Sequence, residues 1–153
     1  MNPVIAERFS GPFSGPQLVL STRLLYELGD PTSMLRATTD RNGSAMVVYA
    51  GGEVDAHNEP TWRHLISEAA AGVIGPGPFI VDVTGLDFMG CCAFAVLAEE
   101  AERCRGRGVE LRLVSCQPIV ARIVKACGLG SALTLYPTVD AALAGRTLGS
   151  VRR

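Results

Sequence analysis

The nineteen residues from Phe79 to Leu97 constrain the fold of this chain more than any other stretch. Ile80, Val81 and Val83 suit a strand covered on both faces, and Thr84-Gly85 predicts where that strand ends. Apolar residues then return at Phe94, Leu97, Ala98 and Ala101, which is one face of a helix. Gly90 stands where such a helix takes its N-cap, so Cys91 and Cys92 fall in the first turn, where backbone N–H groups lack intrahelical acceptors. An anionic group carried there is favoured by the partial positive charge of the helix start.

The segments around this unit alternate in the same way. Met34–Thr39 and Ser44–Ala50 read as strands joined by Asp40-Arg41-Asn42-Gly43, and Asn-Gly between such runs is a strong hairpin signal. Asn58 is expected to cap a helix with Glu59 and Pro60 in its first turn, and Trp62, Leu65, Ile66, Ala69 and Val73 form its core stripe. Gly75-Pro76-Gly77-Pro78 stops that helix, and it lacks the Lys-Ser/Thr of a phosphate loop. Glu110–Val114 reads as a strand. The next helix opens at Pro118, with a stripe of Val120, Ile123, Val124 and Cys127 and a stop at Gly128. A short strand, Leu133–Tyr136, and a helix over Val139–Leu143 behind Pro137-Thr138 complete the pattern.

Strands alternating with helices after an opening hairpin make an α/β domain with a mixed sheet. Right-handed crossovers place the loop holding Asp55 and the helix starts near Cys91 and Cys116 at one edge of that sheet, the edge where ligands and partners of such folds bind. Cys104 and Cys127, at helix ends, are expected at the opposite edge, both buried as free cysteines usually are.

The central stretch resembles the signature of STAS domains, in particular of the anti-sigma factor antagonists of bacterial partner-switching systems. In that family a strand with Asp-x-Ser/Thr-x-Leu/Val is followed by Phe-Met/Ile-Asp-Ser-Ser/Thr-Gly-Leu opening a helix. Asp82-Val83-Thr84, Leu86, Phe88 and Met89 match, whereas Gly90 replaces the Asp, Cys91 and Cys92 replace the two serines, and Ala93 replaces the Gly. Gly52-Glu53-Val54-Asp55 is similar to the family's Gly-Glu-Leu-Asp segment, and Gly128-Leu129 to a later Gly-Leu. The resemblance implies a single STAS-like domain over residues 34–145, its helices mainly on one face of the mixed sheet. It leaves residues 1–33 as an extension and 146–153 as a tail. The extension combines a Pro/Gly-containing leader over 1–16 with a Leu-rich helical segment over 17–28, read either as packing on the domain or as a homodimer or regulatory segment.

The implied function is that of a regulatory protein that docks on an ATP-binding anti-sigma kinase and frees a sigma factor. The partner surface is expected to include Asp55, His57, Asn58, Met89, Gly90, Cys91, Cys92, Phe94 and Cys116. Cys91 occupies the position of the family's phosphoserine. It has no hydroxyl, so the antagonist is expected to be constitutive or to be controlled by oxidation at Cys91 and Cys116. A small-ligand-sensing module is the alternative. An enzyme using Cys91 as nucleophile, with Asp55 and His57 as its nearby candidate helpers, is the weaker one, since no thiol-hydrolase motif surrounds them.

Composition excludes several other classes. Of 153 residues, 48% are hydrophobic and 19% charged, as in a globular protein. The net charge of −1 supplies no general attraction to nucleic acid or an anionic membrane. The arginines at 103, 105, 107 and 112 read as a solvated helix end rather than a binding patch. Neither a signal-peptide core nor a run of roughly 20 apolar residues is present, so the chain is expected to be cytoplasmic with its five cysteines as thiols. The cysteines lack zinc-type spacing, and neither a metal nor another cofactor is expected.

Overall fold

Five strands in the order β1-β2-β3-β4-β5 make one sheet in the computed structural model, which describes residues 20–145. The hairpin strands are β1 (Leu35–Asn42) and β2 (Ala45–Val54), paired antiparallel, with Asn42 opposite Ala45. The two-residue connection is therefore Gly43-Ser44, one residue beyond the Asn-Gly pair, and Gly43 takes the positive φ of 62° that a tight hairpin turn demands. Strands β3 (Gly77–Met89), β4 (Val109–Val114) and β5 (Thr134–Tyr136) then add in parallel, giving the mixed sheet expected from the alternation.

Helix α1 (Thr22–Gly29) precedes the hairpin, and α2 (Glu59–Ala71), α3 (Cys91–Arg105) and α4 (Pro118–Ala126) follow β2, β3 and β4. Their apolar stripes share one core with the sheet, in which Leu24, Leu28, Trp62, Leu65, Ile66, Phe79, Phe94 and Leu97 are buried. Helix α5 (Val139–Ala144) covers the other face, over Val47, Ile80, Val114 and Tyr136. Thr138 caps it with a side-chain bond to the Ala141 N–H.

Among the described residues the Leu-rich helix begins at Thr22, with the Ser21 hydroxyl accepting from the Leu24 N–H. Its leucines join the main core and Ser21 bonds Glu68 of α2, so it packs as part of the domain. The expectations for the leader over 1–16, for residues 17–19 and for the tail over 146–153 lie outside the described residues.

Strand β3 is the main departure from the sequence reading. It does not stop at Thr84-Gly85 but runs thirteen residues to Met89. Strand β2 likewise continues past Ala50 to Val54 and supplies the partners: Gly51 opposite Gly85, Gly52 opposite Leu86, Glu53 opposite Phe88, Val54 opposite Met89. Glycine permits this pairing instead of ending it. A Cβ on Gly85 would lie 2.9 Å from the Ala50 carbonyl oxygen, and one on Gly52 (φ 95°) would lie 2.0 Å from that of Met34. Two register shifts, at Tyr49/Gly51 and Gly52/Glu53, re-aim the strand ends that lead into the loops above.

Candidate functional site

The C-terminal ends of β2, β3 and β4 meet at one edge because these three strands are parallel. The Gly90 N–H donates to the Val54 carbonyl at 2.9 Å, which fastens the start of α3 beside the Asp55 loop. Gln117 donates its side-chain amide to the Thr84 carbonyl at 3.2 Å, fastening the loop that carries Cys116 to β3. Asp55, Gly90, Cys91 and Cys116 thus come to the same edge.

The Asp55 loop is held by its own polar groups. The Asp55 carboxylate accepts from the N–H groups of His57 and Asn58, and the Asp55 N–H donates in turn to the Asn58 side-chain oxygen. The Asn58 amide also donates to the Glu53 carbonyl. Asn58 therefore does not cap α2 with its side chain, contrary to expectation, because the bend before the helix recruits both ends of its amide. Asp55 is half-buried and His57 is exposed at the loop tip.

Gly90 is the N-cap of α3, extended at φ −73° and ψ 166°, and brings no side chain to the first turn. Cys91 stands exposed as the first helical residue and Cys92 is half-buried. A Cβ at Gly90 would meet the Val54 oxygen at 3.6 Å, the Phe88 ring at 3.7 Å and the Cys92 sulfur at 3.9 Å, all ordinary contacts. A Cβ at this position therefore displaces none of these neighbours. Below it the Trp62 indole donates to the Ala93 carbonyl at 3.1 Å, fixing the first turn of α3 on α2. Arg63 joins the same two helices through Glu59 and Glu99, and it holds the Glu99 carboxyl below its ordinary range.

Met89 is half-buried at the end of β3, and Phe94 is fully buried, so Phe94 supports the edge from within the core and presents no surface of its own. Cys116 is exposed, as is Cys127, whose expected burial is corrected: it sits at the C-cap of α4, where the chain turns outward to Gly128. Cys104 is fully buried as expected. Burial, reinforced by the neighbouring Glu100 carboxylate, pushes its thiol up to about 11. Of the four arginines expected at a solvated helix end, Arg103 and Arg105 are exposed in the last turn of α3, as expected, while Arg107 and Arg112 also tie distant backbone. Arg103 and Arg105 pair with Glu100 and Glu102 on α3, Arg107 donates to the Ala70 and Val73 carbonyls, and Arg112 bonds Glu110 and the Ala142 carbonyl. Among the described residues no group of three His, Cys, Asp or Glu could hold a metal ion, and no helix is long and apolar enough to cross a membrane.

An apolar groove on the same edge was not foreseen from the sequence. It runs between the end of β3 and the starts of α3 and α4, with a volume of about 160 Å³, and its rim carries the exposed side chains of Phe88 and Ile119.

Comparison with known proteins places this architecture. The model of the STAS domain matches residues 36–142. A Mycobacterium tuberculosis protein provisionally named anti-anti-sigma factor Rv2638 is 64% identical over 141 residues, 92% of this chain and 95% of the relative. The anti-sigma-F factor antagonist RsfA of Mycobacterium tuberculosis is 47% identical over 143 residues, 94% of this chain and 98% of RsfA. The crystal structure of an anti-sigma factor antagonist from Mycobacterium paratuberculosis superposes with a TM-score of 0.66 at 26% identity, covering 77% of this chain and 97% of that one.

Proposed function

Because this chain belongs to the STAS domain family, and its relatives over nearly their whole length are named as antagonists of anti-sigma factors, we propose that it is a regulatory protein-binding domain of that kind. It binds an anti-sigma factor of the ATP-binding serine-kinase type in the cytoplasm, and so frees a sigma factor. The observation that carries this reading is the bond from the Gly90 N–H to the Val54 carbonyl, which sets the Asp55 loop beside the exposed Cys91. The partner surface is centred there, on Asp55, His57, Asn58, Met89, Gly90, Cys91, Cys92 and Cys116, with Phe94 beneath.

Cys91 cannot take a phosphate from a serine kinase, so the usual charge switch is absent at this position. Thiol chemistry is the control that the exposed Cys91 and Cys116 support. Both lie at the same edge, the loop of Cys116 tied by the Gln117–Thr84 bond to the strand that leads to Cys91, and without oxidation the antagonist is constitutive. Enzyme chemistry has no comparable support, since the Asp55 carboxylate serves backbone N–H groups and not an imidazole. Homodimerisation through residues 1–33 is a separate proposal, for which α1 offers the exposed Tyr26.

Replacing Cys91 by Glu puts a negative charge where the family carries phosphate. Binding to an anti-sigma factor, measured by isothermal titration, is expected to fall by roughly tenfold or more. Equal binding of Cys91→Glu and wild-type protein would remove this edge from the interface.

A further inference from the structure

We propose that the groove between Phe88 and Ile119 is a second part of the partner interface, one that receives a single apolar side chain of the anti-sigma factor from a segment that also presents a cation to Asp87. This inference rests on the functional reading above and adds the chemistry of what docks.

Three observations carry it. The first is exposure: Phe88 is 52% and Ile119 48% exposed, and the two large apolar side chains flank one depression across elements far apart in sequence. The floor beneath them, Leu86, Phe94 and Val120, is buried. Exposed apolar side chains over a buried apolar floor are the arrangement in which interface hot spots form. The second is size. About 160 Å³ is well below the roughly 300 Å³ from which small-molecule and cofactor sites begin, and suits one inserted side chain. The third is position and charge. The Phe88 ring lies 3.7 Å from where a Cβ on Gly90 would be, so the groove is continuous with the edge that holds Cys91. Asp87 is the charged residue among those lining the groove, exposed, and it forms no ion pair with a described residue. A carboxylate beside an apolar slot selects a partner segment with an apolar side chain and a neighbouring Lys or Arg.

The test uses the full chain against purified ATP-binding anti-sigma factors, including the anti-sigma-F factor whose antagonist is the 47% identical relative. Ile119 is the second residue of α4, where an acidic side chain is favoured by the helix start, so Ile119→Glu is expected to fold. Phe88→Ser, Ile119→Leu and Asp87→Lys complete the set, each verified by thermal unfolding. Ile119→Glu and Phe88→Ser are expected to weaken binding by roughly tenfold or more, and Ile119→Leu by no more than about twofold. Asp87→Lys is expected to lower the association rate, with a smaller difference at high salt. If wild-type protein binds and Cys91→Glu does not, yet the groove variants bind within about twofold of wild type, the groove proposal is overturned and the functional reading stands. If wild-type protein binds none of the anti-sigma factors, the functional reading falls and the groove with it. A self-association of the chain that Ile119→Glu abolishes in sedimentation, without effect on anti-sigma binding, would assign the groove to a second copy and also overturn the proposal.

Discussion

The two edges of the sheet are built to opposite rules. At the lower edge, where α2 and α3 end, loose backbone ends are tied. Arg107 reaches back to the carbonyls of Ala70 and Val73, and Arg41 to that of Gly72, so the terminal acceptors of α2 are satisfied by guanidinium groups from two other segments. Cys104 is sealed in the core close by. At the upper edge α2, α3 and α4 all begin without a side-chain cap, and thiols and apolar rings face outward. Helix starts left uncapped keep N–H groups and dipoles available to a partner. The difference separates an edge whose backbone ends are tied within the chain from one whose helix starts are left without side-chain caps.

The largest expected effect comes from the tie that holds the open edge on the closed core. Trp62 is fully buried and donates to the Ala93 carbonyl, so Trp62→Ala removes both a large core side chain and the anchor of the first turn of α3. A loss of about 3–5 kcal/mol is expected in chemical denaturation. A smaller loss, with anti-sigma binding intact, would show that the upper edge is positioned without the indole.

Arg107→Ala tests the lower edge by itself. It takes the guanidinium donor from the Val73 carbonyl and leaves the Ala70 carbonyl with only its backbone N–H donors, Gly72 and Val73. The expected loss of stability is about 1–3 kcal/mol, typical of hydrogen bonds to a charged donor. Binding of an anti-sigma factor, at the other edge, is expected to be unchanged at saturating folded protein. A matching loss of affinity would break the division between the edges.

Little of this division can be read along the sequence, although the fold can. The helices at Glu59, Cys91 and Pro118 follow from stripes and caps within one segment, and so they were legible. The true length of β3 was not, because Thr84-Gly85 has the local signature of a break, and its ladder partners lie more than thirty residues earlier in β2. The caps supplied by Arg41 and Arg107 are likewise long-range. At the candidate site, Gly90 as N-cap and Cys91 as first helical residue were legible from the capping position. Asn58 was legible as a polar helix-start residue, but its recruitment to the Glu53 carbonyl depends on how β2 ends. Phe88 and Ile119 meet only in three dimensions. The one available signal was that Ile119 falls outside the Val120, Ile123, Val124 stripe of its helix, so an apolar side chain had to face away from the core.

The cysteines sharpen the comparison through their protonation. Folding holds the Cys104 thiol up to about 11, from an ordinary 9.0, through burial and the Glu100 carboxylate. A raised thiol value means that the folded state prefers the protonated form. Its stabilising share is therefore complete below about pH 9 and is lost as pH rises from 9 to 11. Denaturation midpoints of wild-type protein are expected to fall across that window more steeply than those of Cys104→Ala. Native alkylation at pH 7 is expected to label the exposed Cys91, Cys116 and Cys127 and to spare Cys104. Labelling of Cys91 no faster than of Cys127 would argue against a redox role for the upper edge.

The smallest effect concerns the cap that the upper edge lacks. Gly90 has the extended φ and ψ of an ordinary N-cap, and no atom lies closer than 3.6 Å to a Cβ built on it. Aspartate there gains a carboxylate that can accept from the first-turn N–H groups of α3, and it gives up the conformational freedom of glycine in the unfolded chain. Gly90→Asp is expected to raise stability by about 0.5–1 kcal/mol, read as a higher denaturation midpoint with unchanged slope. The same carboxylate occupies N–H groups that have no side-chain cap in the wild-type chain, so the variant also asks what those groups are for. Higher stability with weaker anti-sigma binding would show that the uncapped start of α3 is part of the interface. Higher stability with equal binding would confine the partner's contacts to side chains. A drop in stability would mean that the space beside Phe88 and Cys92 is not available to a carboxylate, and that glycine at this position answers to packing.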